Sequence, residues 1–287
     1  MYVLCVFIYK VGGEMSNPQV VKYHNDFNQV YLGKLNAAEV DLAFDIIAKV
    51  KNKGTAPIYF SADELKKNLQ KNYTKHEFSN LITSLRRKFF KLDFTVIKKY
   101  NDGTEEEDIY NLFKKLTIHR TADKEVVGIT LQVEEFFKYL VNNIKINFTR
   151  FELEELFQIR GIYAKKIFRL LKQYRSTGEM TMPWSDFISQ MNLIGKTQKY
   201  INLVLKPAVN ELREERTVAG KKRPSFSNLN FKKLKSPGCN KITAIKFTFD
   251  GEIVKTKVPI AEKNCPYAER TKMWYAWHHL DIPEELI

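Results

Sequence analysis

An α+β chain in which one unit, a helix-turn-helix followed by a β-hairpin, occurs twice in tandem is the architecture this sequence predicts. Three observations carry it. Residues 185–212 hold a short apolar-faced segment, then Gly195, then a longer segment capped by Thr197 whose stripe Ile201, Leu205, Ala208 and Leu212 has the helical period. Residues 60–89 repeat that order: Phe60-Ser61-Ala62-Asp63-Glu64-Leu65 answers Trp184-Ser185-Asp186-Phe187-Ile188, and a capping threonine follows about a dozen residues on, at Thr74 and Thr197. A long helix precedes each short one, and β-rich stretches follow each last helix. Helix, short helix, long helix and hairpin is the order of a winged helix, so the reading is two winged-helix domains related as an internal repeat. The first is placed over 20–143 and the second over 144–258, with an extension at 1–19 and a tail at 259–287.

Taken in order, residues 3–9 are apolar but far short of the ~20 needed to span a membrane. They lack a basic leader and a cleavage site, which argues against a secretory signal. Val11-Gly12-Gly13-Glu14 would be encoded by codons resembling a ribosome-binding site, which favours Met15 as the start. Residues 16–34 read as a polar arm. Asn36 caps a helix over 37–50 with Val40, Ala43, Phe44 and Ile47 inside, and Pro57-Ile58-Tyr59-Phe60 is a short strand. Ser61 with Glu64, and Thr74 with Glu77, are capping boxes, the second opening a helix that buries Phe78, Leu81, Ile82, Leu85 and Phe89. A strand over 94–100 reaches the hairpin turn Asn101-Asp102-Gly103-Thr104, and strands follow over 112–118 and 126–133. A helix over 134–141 and a junction at Asn142-Asn143 close the first half.

In the second half Thr149 and Glu152 are placed as a capping box. A helix over 163–174 buries Ile167, Leu170 and Leu171 and stops at Thr177-Gly178. The short helix starts at Ser185. The wing is expected between Thr217 and Phe249: the basic turn Gly220-Lys221-Lys222-Arg223-Pro224, then Lys232, Lys233 and Lys235, then a strand over 242–249.

The chain's 47 lysines and arginines against 33 acids leave a formal charge of +14 over 287 residues. That excess points to a polyanion, nucleic acid before an anionic membrane. Cys5, Cys239 and Cys265 lie far apart, as free thiols of a reducing compartment do, so a cytoplasmic location is expected.

Enzyme motifs do not assemble. A rolling-circle nicking enzyme needs a His-x-His metal cluster, yet His24, His76 and His119 are isolated and His278-His279 have no spacer. Gly195-Lys196-Thr197 ends like a P-loop, but the first glycine would stand where Gln190 does. Glu154-Glu155 and Glu214-Glu215 suit polar helix faces, and Glu105-Glu106-Glu107-Asp108 an exposed tip that repels phosphate. Cys265, His278 and His279 are a poor metal set beside Trp274, Tyr275 and Trp277, which suit packing or a protein contact. No catalytic site, metal or cofactor is expected.

Phe148-Thr149-Arg150-Phe151-Glu152-Leu153, then Tyr163-Ala164-Lys165-Lys166-Ile167-Phe168-Arg169-Leu170-Leu171-Lys172-Gln173-Tyr174-Arg175-Ser176-Thr177-Gly178, resembles the iteron-binding initiator replication proteins of bacterial plasmids. Val204-Leu205-Lys206-Pro207-Ala208-Val209-Asn210-Glu211-Leu212 looks like that family's recognition-helix pattern, and Ile245-Lys246-Phe247-Thr248-Phe249-Asp250 like the end of its closing strand. The likeness covers roughly 20–250 in architecture and is specific mainly in the second half. One departure is Ser236-Pro237-Gly238-Cys239-Asn240, mostly neutral where the family often has a basic cluster. The resemblance implies that the second domain grips each repeated origin site in duplex DNA. The first adds a contact and carries the dimer interface. Monomers would start replication and recruit the host initiator ATPase and replicative helicase, while dimers would repress the gene at an inverted repeat. A winged-helix repressor without initiation activity stays open as the alternative.

Candidate contacts follow from the helix period. Opposite the stripe of the last helix lie Lys199, Asn202, Lys206 and Arg213, with Gln198 at its entry. Lys199, Asn202 and Gln198 near its N-terminus are placed to read bases, Lys206 to do either job, and Arg213, Lys221, Lys222 and Arg223 to hold phosphate. Lys75, Asn80, Arg86 and Arg87 take similar positions in the first half.

Overall fold

Asn36 accepts a hydrogen bond from the Glu39 amide, and the Glu39 carboxylate accepts one back from the Asn36 amide. This reciprocal cap starts α1 (Ala37–Val50), the first long helix. The computed structural model describes residues 20–252 save 30, 31, 33, 34, 70, 90, 91, 101, 136–139 and 142–147, and describes the backbone alone at 26, 29 and 93–99. The expected extension with Met15, the Asn142-Asn143 junction and the 259–287 tail lie outside the described residues, and the 134–141 helix is described only at its ends. The described residues through Gly251 form one compact unit.

The first half runs β1 (Val20–His24), a 3-10 turn (Asn25–Gln29), α1, β2 (Ile58–Ser61), α2 (Ala62–Lys66), α3 (Lys75–Phe89), β3 (Asp93–Lys99), β4 (Glu105–Asn111), β5 (Phe113–Arg120) and β6 (Val126–Val133). The second runs β7 (Phe148–Glu152), α4 (Leu153–Phe157), α5 (Ile162–Gln173), β8 (Glu179–Pro183), α6 (Trp184–Gln190), α7 (Gln198–Arg213), β9 (Glu215–Val218), β10 (Lys221–Pro224), β11 (Asn230–Lys235) and β12 (Ile242–Thr248). The halves correspond position for position, the 3-10 turn standing where α4 does. The wiring matches too. One antiparallel sheet has the order β2-β6-β5 and the other β8-β12-β11, with the last strand central in each. A separate two-stranded hairpin, β3-β4 or β9-β10, intervenes each time between the long helix and the sheet. This is the repeated winged helix read from the sequence.

Capping largely follows expectation. Thr74 and Glu77 form the full box at α3, and Thr197 accepts from the Tyr200 amide at α7. Ser61 caps α2, but Glu64 returns no bond; its carboxylate lies 3.5 Å from Lys49 Nζ. The second short helix begins one residue before the expected Ser185, at Trp184 after Pro183, and the Ser185 hydroxyl bonds Asp186.

Two expectations are overturned together. Residues 148–152 are strand β7, not a capped helix start, and residues 20–24 are strand β1, not part of a polar arm. The strands pair antiparallel from Val20↔Glu152 to His24↔Phe148 and stitch the halves together. Alternation explains it: Val21, Tyr23, Thr149 and Phe151 point inward, a period-2 pattern that a lone Thr-x-x-Glu match concealed. Thr149, fully buried, accepts from Asn28 Nδ2 and donates to Asn25 Oδ1, each at 2.9 Å. Asn28 in turn accepts from the Tyr23 hydroxyl and donates to Gln173.

Around this knot a chain of rings runs from one half into the other. Tyr23–Phe44 centroids are 6.0 Å apart, Phe44–Phe151 5.8 Å, Phe151–Phe168 5.1 Å and Phe168–Phe226 5.8 Å. The two edge-to-face pairs among them, Phe44–Phe151 and Phe151–Phe168, add about 0.5–1.5 kcal/mol each beyond their burial. The Asp41 carboxylate on α1 and the Lys165 ammonium on α5 meet at 2.5 Å, both buried, and Lys165 also donates to the Leu156 carbonyl. Burial pushes Asp41 up to about 7 against the pull of Lys165, and pushes Lys165 down. Arg169 donates to the carbonyls of Phe27 and Asn28. The two halves therefore share one interior. Among the described residues no helix is long and apolar enough to cross a membrane.

Candidate nucleic-acid interface

In the second half α6, a turn through Gly195 (φ +74°) and α7 form the helix-turn-helix. Phe187 and Met191 anchor the short helix, and Ile201, Leu205, Ala208, Val209 and Leu212 the long one. Lys166 on α5 reaches the Met191 carbonyl at 3.4 Å, at the end of α6. Burial, and then the neighbouring Arg169, lower this ammonium to about 8.

At 100° per residue the direction opposite the buried stripe falls on Lys199, Leu203, Lys206 and Asn210, all exposed. Lys199 and Lys206 meet no carboxylate among the described residues, and Gln198 lies exposed at the entry. The first turn of α7 carries no acid. The expected residues do not form one row. Asn202 sits on the flank facing the wing, half-buried, where its Oδ1 accepts from Lys233 Nζ on β11 at 2.5 Å. An ammonium only donates, so the amide orientation is set and Nδ2 is the group left to face outward. That geometry disfavours the two-bond pairing with adenine, which needs Oδ1 as an acceptor. Lys233 also lies 5.1 Å from the Trp184 ring centroid, and burial followed by Lys206 lowers its pKa.

Arg213 is tethered. It donates to the Leu229 carbonyl, Asn210 Oδ1 and Asn230 Oδ1, and so fastens the loop before β11 to α7.

The wing is not where the basic turn placed it. Lys221, Lys222 and Arg223 lie on β10, in the separate β9-β10 hairpin, which leans on α4 through Gln158 to the Thr217 carbonyl and the Ala219 amide to Glu154. Lys222 faces Glu215 at 3.1 Å, and Arg223 lies 3.8 Å from the buried Glu155. The wing proper is β11-β12, whose strand β12 also pairs with β8. Its exposed cations are Lys232, Lys235 and Lys241, beside a tip turned by Gly238. Hairpin signals near Gly220 and Gly238 are alike in sequence, and only the pairing of β12 with β8 tells them apart.

In the first half Lys75 is 3.3 Å from Glu125 at the tip of the β5-β6 wing, and Asn80 is exposed. Arg86 and Arg87 border an open cleft of about 440 Å³ with Leu116, Ile118 and Arg120. Arg120, which sequence reading passed over, bonds Thr83 and the Lys124 carbonyl. Leu203 was also missed, although the stripe that located Lys199 places it one turn further along the same row.

Comparisons with known proteins agree with this fold. A family model described as "Initiator Replication protein, WH1" matches residues 20–172. A curated relative from Bifidobacterium longum (strain NCC 2705), "Probable replication protein rep", is 31% identical over 203 residues, 69% of this chain and 65% of that protein. The match therefore spans just under two thirds of the relative's length. Among solved structures the Pi initiator protein in complex with iteron DNA superposes with a TM-score of 0.59 at 13% identity, covering 82% of this chain and 98% of that one. That likeness is one of fold.

Proposed function

The chain belongs to the initiator replication protein family, and from that premise we propose that it initiates plasmid replication by binding repeated origin sequences in duplex DNA. The observation that carries the reading is the outer face of α7, where Lys199 and Lys206 meet no carboxylate among the described residues beside the lysines of the β11-β12 wing, on a fold shared with an initiator solved on iteron DNA. Helix and wing together match the way this motif enters a major groove and holds the flanking phosphates. Lys199 and Gln198 read bases, and Asn202 reads through its Nδ2 donor alone because Lys233 holds its Oδ1, while Lys206, Lys221, Lys222, Arg223 and the wing lysines attract the backbone. Lys75, Asn80, Arg86 and Arg87 give the first half its own contact. Arg213 is assigned to holding α7 against its loop rather than to phosphate.

The protein acts without a catalytic site, metal or cofactor, in the bacterial cytoplasm. Bound to direct repeats it opens the origin with the host initiator ATPase and replicative helicase; as a homodimer on an inverted repeat it represses its own gene. These finer roles are supported by family membership. The test is a plasmid that carries the gene and its flanking repeats and depends on them for replication. Deleting the repeats, or replacing Lys199 and Lys206 with glutamate, should abolish maintenance. Maintenance without the repeats, or magnesium-dependent nicking of the origin by clean protein, would overturn the proposal.

A further inference from the structure

Among the described residues of the second half, the most exposed large apolar side chains lie on or beside the helix that faces DNA in the reading above. Ile194 in the turn is 74% exposed, Leu203 69% and Tyr200 40%. Leu203 is the informative one. It stands in the middle of the outer row of α7, one turn after Lys199 and one before Lys206, and nothing among the described residues covers it. Tyr200 neighbours it one turn earlier, with Lys196 Nζ 5.6 Å from its ring centroid. An apolar side chain framed by unpaired ammonium groups is a poor seat for an apolar protein surface, because docking there would strip those ammoniums of water without compensation. In a major groove the same arrangement is complementary: the lysines meet phosphates and acceptor edges, and the apolar tip meets the one apolar group that the groove displays, the 5-methyl of thymine.

We propose that Leu203 is a specificity-determining residue that packs on a thymine 5-methyl group in the half-site read by α7. The proposal rests on the DNA-binding reading, and it adds a chemical identity for one base of the target.

The probe is a consensus duplex that the full chain selects from a random-sequence pool. Each thymine is replaced in turn by deoxyuridine, which removes the methyl and leaves every hydrogen-bonding group in place. At one or two positions the wild type should lose about threefold to fivefold in affinity, the size expected for uncovering one methyl. Leu203→Ala, at an exposed position where folding is not at stake, should bind the thymine duplex about as weakly and show no further loss on the deoxyuridine duplex. Wild-type protein that binds the selected duplex tightly yet ignores every deoxyuridine would overturn the proposal and leave the DNA reading intact. So would an undiminished deoxyuridine penalty in Leu203→Ala. If no preferred duplex emerges from the pool, the DNA reading itself falls, and the proposal with it.

Discussion

The helices α1 and α5 occupy the same place in the two halves, yet their buried polar residues have opposite charge. On α1 they are Glu39, Asp41 and Asp45; on α5 they are Lys165, Lys166, Arg169 and Lys172. Three are answered by an opposite charge within their own half, Glu39 by Lys88, Asp45 by Lys49 and Lys172 by Glu155. Asp41 and Lys165 answer each other across the halves. The surfaces diverge in the same spirit. The hairpin after α3 displays Glu105, Glu106 and Glu107, whereas its counterpart after α7 displays Lys221 and Lys222. Lys75 near the start of α3 is engaged by Glu125, while Lys199 near the start of α7 meets no carboxylate among the described residues. One wiring diagram has thus been given two jobs. The copies fit each other as unlike partners, and the second is the one with an uncompensated cationic face.

Removing the tie between the halves should have the largest effect. Asp41→Ala strands the Lys165 ammonium in the interior, and the expected cost is about 3–5 kcal/mol in urea denaturation. Asp41→Leu combined with Lys165→Met should recover most of that. A double variant as unstable as the single one would mean that shape, not charge, joins the copies.

A smaller effect is expected at Lys166, a basic residue that α5 buries beneath the second helix-turn-helix. Its folded pKa of about 8 lies below the ordinary value of 10.5. Between those limits the unfolded chain holds the proton and the folded one does not, so stability rises with pH across this window and is lost again as pH falls through about 8. At 1.36 kcal/mol per unit the span is about 3 kcal/mol at most. Lys166→Met should remove that rise, visible as the difference between wild-type and variant unfolding free energies from pH 7.5 to 10.5. A constant difference across the window would contradict the assignment.

Much of this comparison was legible in the sequence. Period and caps located α1, α3 and α7, and the repeated order disclosed the duplication before any coordinates. What escaped was non-local. Strand β1 is recognisable only beside β7, more than a hundred residues away in the chain. The two glycine turns at Gly220 and Gly238 both suit a hairpin, and long-range pairing decides which hairpin joins the sheet. On α7 the period placed Lys199 and Lys206 well, but attention to polar side chains passed over Leu203. That Asn202 is held by Lys233 depends on where β11 packs, which no local pattern encodes.

The central proposal is that sequence reading belongs to α7 and not to α3. Its most direct test is a paired titration of Lys199→Ala/Asn202→Ala and Arg86→Ala/Arg87→Ala against the selected duplex and a scrambled one at fixed salt. The α7 variant should lose about 1–3 kcal/mol on the selected duplex, mostly from Lys199, and little on the scrambled one. The α3 variant should lose equally on both and reduce the slope of log K against log salt by about 0.9 per phosphate contact removed. A collapse of sequence preference in the α3 variant, with preference intact in the α7 variant, would contradict the account.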